Sequence, residues 1–241
     1  MKDITLHRED CKKILSNLQN NSVDLVLIDP PYLISKKKNT FAEVNTSWNR
    51  KKAITNSFGE WDQKDNQLDW DILMPEFYRV MKSGATIIIF YDFWKLQELR
   101  EYAEKYKFKQ PRHIVWQKNN PVPVHSKKNY LNNPREYALT FVKGQKPTFN
   151  SNYDFGFYSG PICMGKERTK HPTQKPLILI EELIKKHSNE NDLVLDCFMG
   201  SGTTGIACLK HNRKYVGVEN SELYYEIAEK RFQDYNNLVQ P

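Results

Sequence analysis

The sequence predicts an α/β fold, a mostly parallel sheet with helices on both faces and an antiparallel hairpin at one edge. Three observations lead there. Apolar runs of strand length recur at Val23–Ile28, 86–91, 193–195 and 215–218. Segments with helical spacing separate them, and strands alternating with helices imply parallel pairing with both faces covered. Finally, Gly200-Ser201-Gly202-Thr203-Thr204-Gly205 opens a helix directly after a strand, the turn that meets ligands at the carboxyl edge of such sheets.

Taken in order, Asp10 can cap a short helix over 11–18. The strand Val23–Ile28 stops at Asp29-Pro30-Pro31-Tyr32, because proline has no N–H to give a sheet ladder. Leu68, Ile72, Leu73, Phe77, Val80 and Met81 form an apolar stripe that predicts a helix over 68–81, with Pro75 inside and Ser83-Gly84 as its stop. A strand over 86–91 follows, then a helix near 93–105. Residues 112–118 and 137–143 read as two paired strands, and 144–170 as irregular. The rest is a helix over 174–187, a strand at 193–195, a helix over Thr203–Lys210, a strand at 215–218 and a last helix over 222–235. One domain spanning 1–241 is expected.

Hydrophobic residues make up 39% of the 241 and aromatic ones 12%, enough for a core. No apolar run approaches the roughly 18 residues of a membrane span, and the first eight residues hold no apolar signal region, so a cytoplasmic location is expected. Cys11, Cys163, Cys197 and Cys208 form no C-x-x-C pair, and no Cys/His cluster has zinc spacing; reduced thiols and no metal are expected.

Lys and Arg number 36 against 29 Asp and Glu, a net +7 that fits a polyanionic partner. Between 33 and 60, six cations (Lys36, Lys37, Lys38, Arg50, Lys51, Lys52) face two anions (Glu43, Glu60), so this stretch carries +4 of the +7. Without periodicity and rich in Asn, Ser and Thr, it reads as a mobile loop facing phosphates, although a merely solvated loop would look the same. A second basic cluster is Lys166, Arg168, Lys170 and His171.

Residues 200–205 match G-x-G-x-x-G, and Glu219 lies 23 residues after Asp196, where an acid that binds ribose belongs. A nucleoside cofactor follows. Asp196 at the strand tip would repel a pyrophosphate by a few kcal/mol at an effective dielectric near 20. S-adenosylmethionine has no phosphate, and its ammonium and sulfonium suit a carboxylate there. Glu219 would accept charge-assisted hydrogen bonds from the ribose hydroxyls.

At the other strand end, the prolines leave acceptors beside an aromatic face: the Asp29 carboxylate, the Pro30 carbonyl and Tyr32. This suits a planar ring with an exocyclic amine that donates to Asp29 and Pro30 while the ring stacks on Tyr32. Orientation would supply the acceleration, without an enzyme nucleophile. A base in duplex DNA would first have to be flipped out, at a cost of a few kcal/mol.

Asp29-Pro30-Pro31-Tyr32 together with Asp196-x-Phe198-x-Gly200-Ser201-Gly202-Thr203-Thr204 resembles the amino-group DNA methyltransferases. The catalytic motif precedes the cofactor motif, as in their permuted β group. His171-Pro172-Thr173-Gln174-Lys175-Pro176 and Trp116-Gln117-Lys118-Asn119-Asn120-Pro121 resemble two further motifs of that group. The resemblance implies a Rossmann-like methyltransferase fold with S-adenosylmethionine as cofactor. By position, Asp29, Pro30, Pro31 and Tyr32 would orient the target base. Phe198, Gly200, Ser201, Gly202, Thr203 and Thr204 would line the cofactor, with Asp29 and Asp196 near its methionine part, Glu219 on the ribose and Asp10 near the adenosine. His171, Pro172, Thr173 and Lys175 would close the pocket, with Lys175 on the cofactor carboxylate.

Asp29 rather than Ser at the head of the motif resembles adenine-N6 members more than cytosine-N4 members. Two departures stand out: Cys197 replaces a usual proline, and Pro134-Arg135-Glu136 replaces the commoner R-x-H-E. Lys36, Lys37, Lys38, Arg50, Lys51, Lys52, Arg135, Lys166 and Arg168 are the expected DNA contacts. Short target recognition would fall at about 144–170. Double-stranded DNA, with single-stranded DNA as a second substrate, and a homodimer are the expected partners. The competing readings are a cytosine-N4 enzyme, a methyltransferase acting on RNA or protein, a nicotinamide-dependent oxidoreductase and a non-catalytic nucleic-acid binder.

Overall fold

A computed structural model describes residues 4–32, 68–121 and 133–239. The chain divides into two compact units, Met1–Pro30 with Asp69–Pro241, and Pro31–Leu68. Of the second unit only Pro31, Tyr32 and Leu68 are described. The basic stretch at 33–60, with Lys36, Lys37, Lys38, Arg50, Lys51 and Lys52, lies outside the described residues.

The larger unit is built on an eight-stranded sheet: β1 (Ile4–Arg8), β2 (Val23–Ile28), β3 (Met81–Tyr91), β4 (Lys109–Lys118), β5 (Arg135–Val142), β6 (Phe157–Gly160), β7 (Leu193–Asp196) and β8 (Lys214–Glu219). The spatial order is β1-β8-β7-β2-β3-β5-β4-β6. Neighbours from β1 to β3 are parallel; β5 is antiparallel to β3 and to β4, and β6 runs parallel to β4 outside the hairpin. Helices α1 (Cys11–Asn17), α2 (Trp70–Val80) and α3 (Leu96–Lys105) form one group, and α4 (Leu177–His187), α5 (Thr203–Lys210) and α6 (Glu222–Val239) another.

Successive strand residues point to opposite faces. Leu25, Val26, Leu27 and Ile28 are all buried, as are Ile87, Ile88, Ile89 and Phe90. The centre of the sheet is therefore covered on both sides, which is why these strands read as unbroken apolar runs. Each such side chain stabilises the fold by about 1.5–3 kcal/mol.

Several boundaries differ from the sequence expectation, each for a local reason. Asp69 caps α2, accepting from Asp71 N at 3.0 Å and Ile72 N at 3.3 Å, so that helix starts at Trp70 and not at 68. The next strand begins at Met81, where Lys82 binds Asp24 at 2.8 Å and pulls the segment alongside β2. Helix α4 starts at Leu177 because Pro176 sits at its N-cap and disfavours helical geometry at Lys175. Residues 93–95 form a 3-10 turn before α3. The stretch 144–170, expected to be irregular, contains β6 and a 3-10 turn at Gly165–Glu167, and β1 was not expected at all.

Among the described residues no helix is long and apolar enough to cross a membrane.

Candidate active site

Strand β2 leads towards β3 on one side and β7 leads to β8 on the other, so the carboxyl ends of β2 and β7 flank a point where the sheet order reverses. Open α/β sheets bind ligands in the crevice at such a point. Four acids gather along this edge: Asp10 just after β1, Glu219 closing β8, Asp196 closing β7 and Asp29 just after β2.

The glycine turn after β7 is tied down from three sides. Phe198 N donates to Asp196 Oδ1 at 3.1 Å, Gly200 N to Glu219 Oε2 at 2.9 Å, and Met199 N to Val218 O at 3.0 Å. Gly200 has φ of 50°, and a Cβ there would lie 2.8 Å from His171 Nε2. Only glycine meets both the left-handed backbone and the close imidazole. From α6, Arg231 Nη1 donates to Ser201 O at 2.6 Å and to Ser201 Oγ and Thr203 Oγ1 at 3.1 Å each.

Burial pushes Asp196 up to about 7, with the Asp29 and Glu219 charges adding to it, against hydrogen bonds from Thr204 and the Phe198 N–H. Glu219 is likewise raised by burial, although the N–H groups of Ser221, Gly200 and Asn220 oppose this. Two carboxyls penalised for carrying charge make a pocket that favours a cation. Asp10 caps α1 as expected, accepting from Lys12 N at 2.7 Å.

The 171–176 segment closes over this turn. His171 packs on the Tyr224 ring at 4.4 Å, and burial, then the charges of Lys175, Arg168 and Arg231, push it down to about 4. The Pro172 carbonyl accepts from Arg168 Nη2 at 2.8 Å, and Thr173 is half-buried. Gln174 takes bonds from Thr169 N at 2.9 Å and Oγ1 at 2.8 Å and donates to the Glu167 carbonyl at 2.9 Å, fixing the turn.

Lys175, expected on the cofactor carboxylate, has its ammonium on two protein carboxylates, Asp29 and, at 3.0 Å, Glu136 Oε2. It is 7% exposed and lies 4.9 Å from the centre of the Phe90 ring. Burial lowers its pKa, but Asp29 and Glu136 outweigh that and raise it. Glu136 also binds Lys118 Nζ at 2.5 Å.

Pro30 is buried beside Asp29, whereas Pro31 and Tyr32 belong to the 31–68 unit. Of the expected DNA contacts, Arg135 donates to Gln117 Oε1 at 2.8 Å, and Lys166 and Arg168 are exposed. The sequence reading missed Glu136, Lys118 and Arg231 as parts of the site. The departure at Pro134-Arg135-Glu136 and the Lys in W-x-K-x-N-P were available signals for the first two; Arg231 had none. Among the described residues no group of three or more His, Cys, Asp or Glu could hold a metal ion.

A profile of the N6_N4_Mtase family, described as DNA methylase, matches residues 23–230. The type II methyltransferase M.HinfI of Haemophilus influenzae is 30% identical over 95% of this chain and 68% of its own length. Among solved structures, an M1.HpyAVI–SAM complex aligns with a TM-score of 0.69 at 27% identity, covering 95% of this chain and 99% of its own. The cytosine-N4-specific PvuII DNA methyltransferase aligns with a TM-score of 0.75 at 17% identity, over 95% of this chain and 86% of its own, a likeness of fold alone.

Proposed function

Because the chain belongs to the DNA methylase family, we propose that it uses S-adenosylmethionine to methylate the N6 amino group of adenine in DNA, within a restriction-modification or phage/host modification system. One observation carries the reading: β2 and β7 pair side by side at the switch point, so that Asp29, just after β2, and the buried Asp196, closing β7, lie at the same carboxyl edge of the sheet. An amine acceptor and a cation-seeking pocket thus share one crevice.

The residues fit the cofactor. Asp196 and Glu219, both pushed up by burial, gain from a cationic ligand, and the tightly pinned glycine turn leaves no side chain at Gly200 or Gly202. Phe198, Ser201, Thr203, Thr204 and Asp10 would complete the pocket, with His171 to Thr173 over it. When bound, S-adenosylmethionine supplies an electrophilic methyl carbon on a positively charged sulfur.

The protein's own part is orientation. The Asp29 carboxylate and Pro30 carbonyl accept the two amine hydrogens, which turns the nitrogen lone pair out of the ring's conjugation. Stacking on Tyr32 offsets part of the few kcal/mol spent in flipping the base. The amine proton released on transfer leaves past the Asp29 carboxylate. Lys36, Lys37, Lys38, Arg50, Lys51, Lys52, Arg135, Lys166 and Arg168 would hold phosphates, and 144–170 would take part in target recognition. One catalytic domain, a cytoplasmic location and a homodimer complete the reading.

The test is to incubate the protein with labelled S-adenosylmethionine and unmethylated DNA and analyse the digested nucleosides. N6-methyladenine is the expected product. N4-methylcytosine would move the assignment to that base, and no methylated nucleoside from folded, cofactor-binding protein would refute the reading.

A further inference from the structure

Lys175 is the centre of a row of alternating charge. Its ammonium bonds both to Asp29 and, at 3.0 Å, to Glu136 Oε2, and Lys118 Nζ lies 2.5 Å from Glu136 Oε1. The members come from the end of β2, the segment before α4, the start of β5 and the end of β4. Chain locality does not account for the grouping.

Its chemistry has a clear consequence for Asp29. A buried ammonium paired with Asp29 alone would compete with the substrate amine for that carboxylate. A second carboxylate on the same ammonium divides the attraction of the lysine. Lys118 in turn partly neutralises Glu136, which is held low by Lys175 and Lys118 although burial pushes it up.

We infer that Glu136 and Lys118 are positioning residues for methyl transfer: acting through Lys175, they set how much positive charge Asp29 faces and so how its carboxylate meets the amine. The inference rests on the role given to Asp29 above. The other titratable groups in reach are Asp196, which feels Asp29 and Glu219, and His171, which feels Lys175.

Two substitutions that leave Asp29 and Lys175 in place test it, in the full chain. With Asp29 as the amine acceptor, protonation of its carboxylate should form the acid limb of the activity profile. Glu136→Gln leaves Lys175 more positive towards Asp29, so the acid limb of the kcat profile moves to lower pH, by about two units at an effective dielectric near 20. Lys118→Gln leaves Glu136 more negative and moves the limb the other way, by less. Glu136→Gln also lowers kcat at least tenfold, with KM for S-adenosylmethionine changed less than twofold. A general loss of packing would not move the two limbs in opposite directions.

Limbs that coincide with wild type, or move together, overturn the inference. Should Glu136→Gln fail to fold, Lys118→Gln, at a residue about one-fifth exposed, decides by itself: a limb at higher pH supports the inference and an unmoved limb overturns it. If wild type transfers no methyl group in the same assay, the role of Asp29 falls and this inference with it; if wild type is active and the limbs stay put, this inference alone falls.

Discussion

The amide of Gly200 donates to Glu219 Oε2 at 2.9 Å, so the last residue of β8 holds the turn that follows β7. Its other oxygen accepts from Ser221 N at 2.9 Å. With the Asn220 N–H also acting on it, the carboxylate keeps part of its acceptor capacity for a ligand. Glu219 therefore shapes the glycine turn as well as being the proposed ribose acceptor. Glu219→Ala should weaken S-adenosylmethionine binding by about 1.5–3 kcal/mol, the range for hydrogen bonds to a charged group. Titration calorimetry checks this, and an affinity within twofold of wild type would count against it.

Asp29 is the partner of Lys175 and the proposed amine acceptor. Asp29→Asn keeps the shape and removes the charge. Methyl transfer should fall at least a hundredfold while cofactor affinity stays near normal. Glu136 still compensates Lys175, so the stability loss should be about 1–2 kcal/mol, below the 3–5 of a fully broken buried pair. Denaturant unfolding alongside a single-turnover assay separates the two effects.

Asp196 gives a pH dependence with a definite sign. Its folded pKa, pushed up to about 7, stands above the unfolded value near 3.9. Its contribution is thus fully present below about pH 4 and is lost as pH rises to about 7, a span of about 4 kcal/mol at most. His171 and His187, both pushed down to about 4 by burial, act oppositely, losing their contribution as pH falls from 6.5 to 4. Comparing Asp196→Asn with wild type cancels the histidines. Without cofactor, the variant should gain on wild type between pH 5 and pH 8 in melting experiments.

The same group predicts cofactor affinity. A cationic ligand favours the ionised carboxylate, so wild type should bind S-adenosylmethionine more tightly at pH 8 than at pH 6. Asp196→Asn should flatten that dependence. Equal slopes in the two proteins would remove Asp196 from the cofactor's field.

Arg231 reaches from α6 to three acceptors on the glycine turn. Arg231→Met should cost about 2 kcal/mol, because the Ser201 carbonyl loses its donor, and should weaken cofactor binding about tenfold. Hydrogen exchange at 199–204 should rise in the variant.

Replacing Lys36, Lys37 and Lys38 with Gln should reduce the slope of log affinity for DNA against log salt by about 2–3 if all three meet phosphates. A slope equal to wild type would take that stretch out of the interface.

The parts of the fold and site legible in the sequence are those whose cause is local. Proline ends β2, Asp10 caps α1, and the glycines demand the turn at 200–205; each needs only its neighbours in the chain. Strand β6 was not legible, because its four residues become a strand by pairing with β4 at Val115–Lys118. Lys175 was legible as a site residue but not as the partner of Asp29 and Glu136, which lie 146 and 39 positions away.

By itself, then, the sequence determined most of the element types and pointed to the two strand ends to which the chemistry is assigned. The tertiary structure decided the strand order, which charges meet and which carboxyls are buried. Backbone preferences act within a few residues, whereas a charge takes its partner and its solvation from whatever the closed sheet brings beside it.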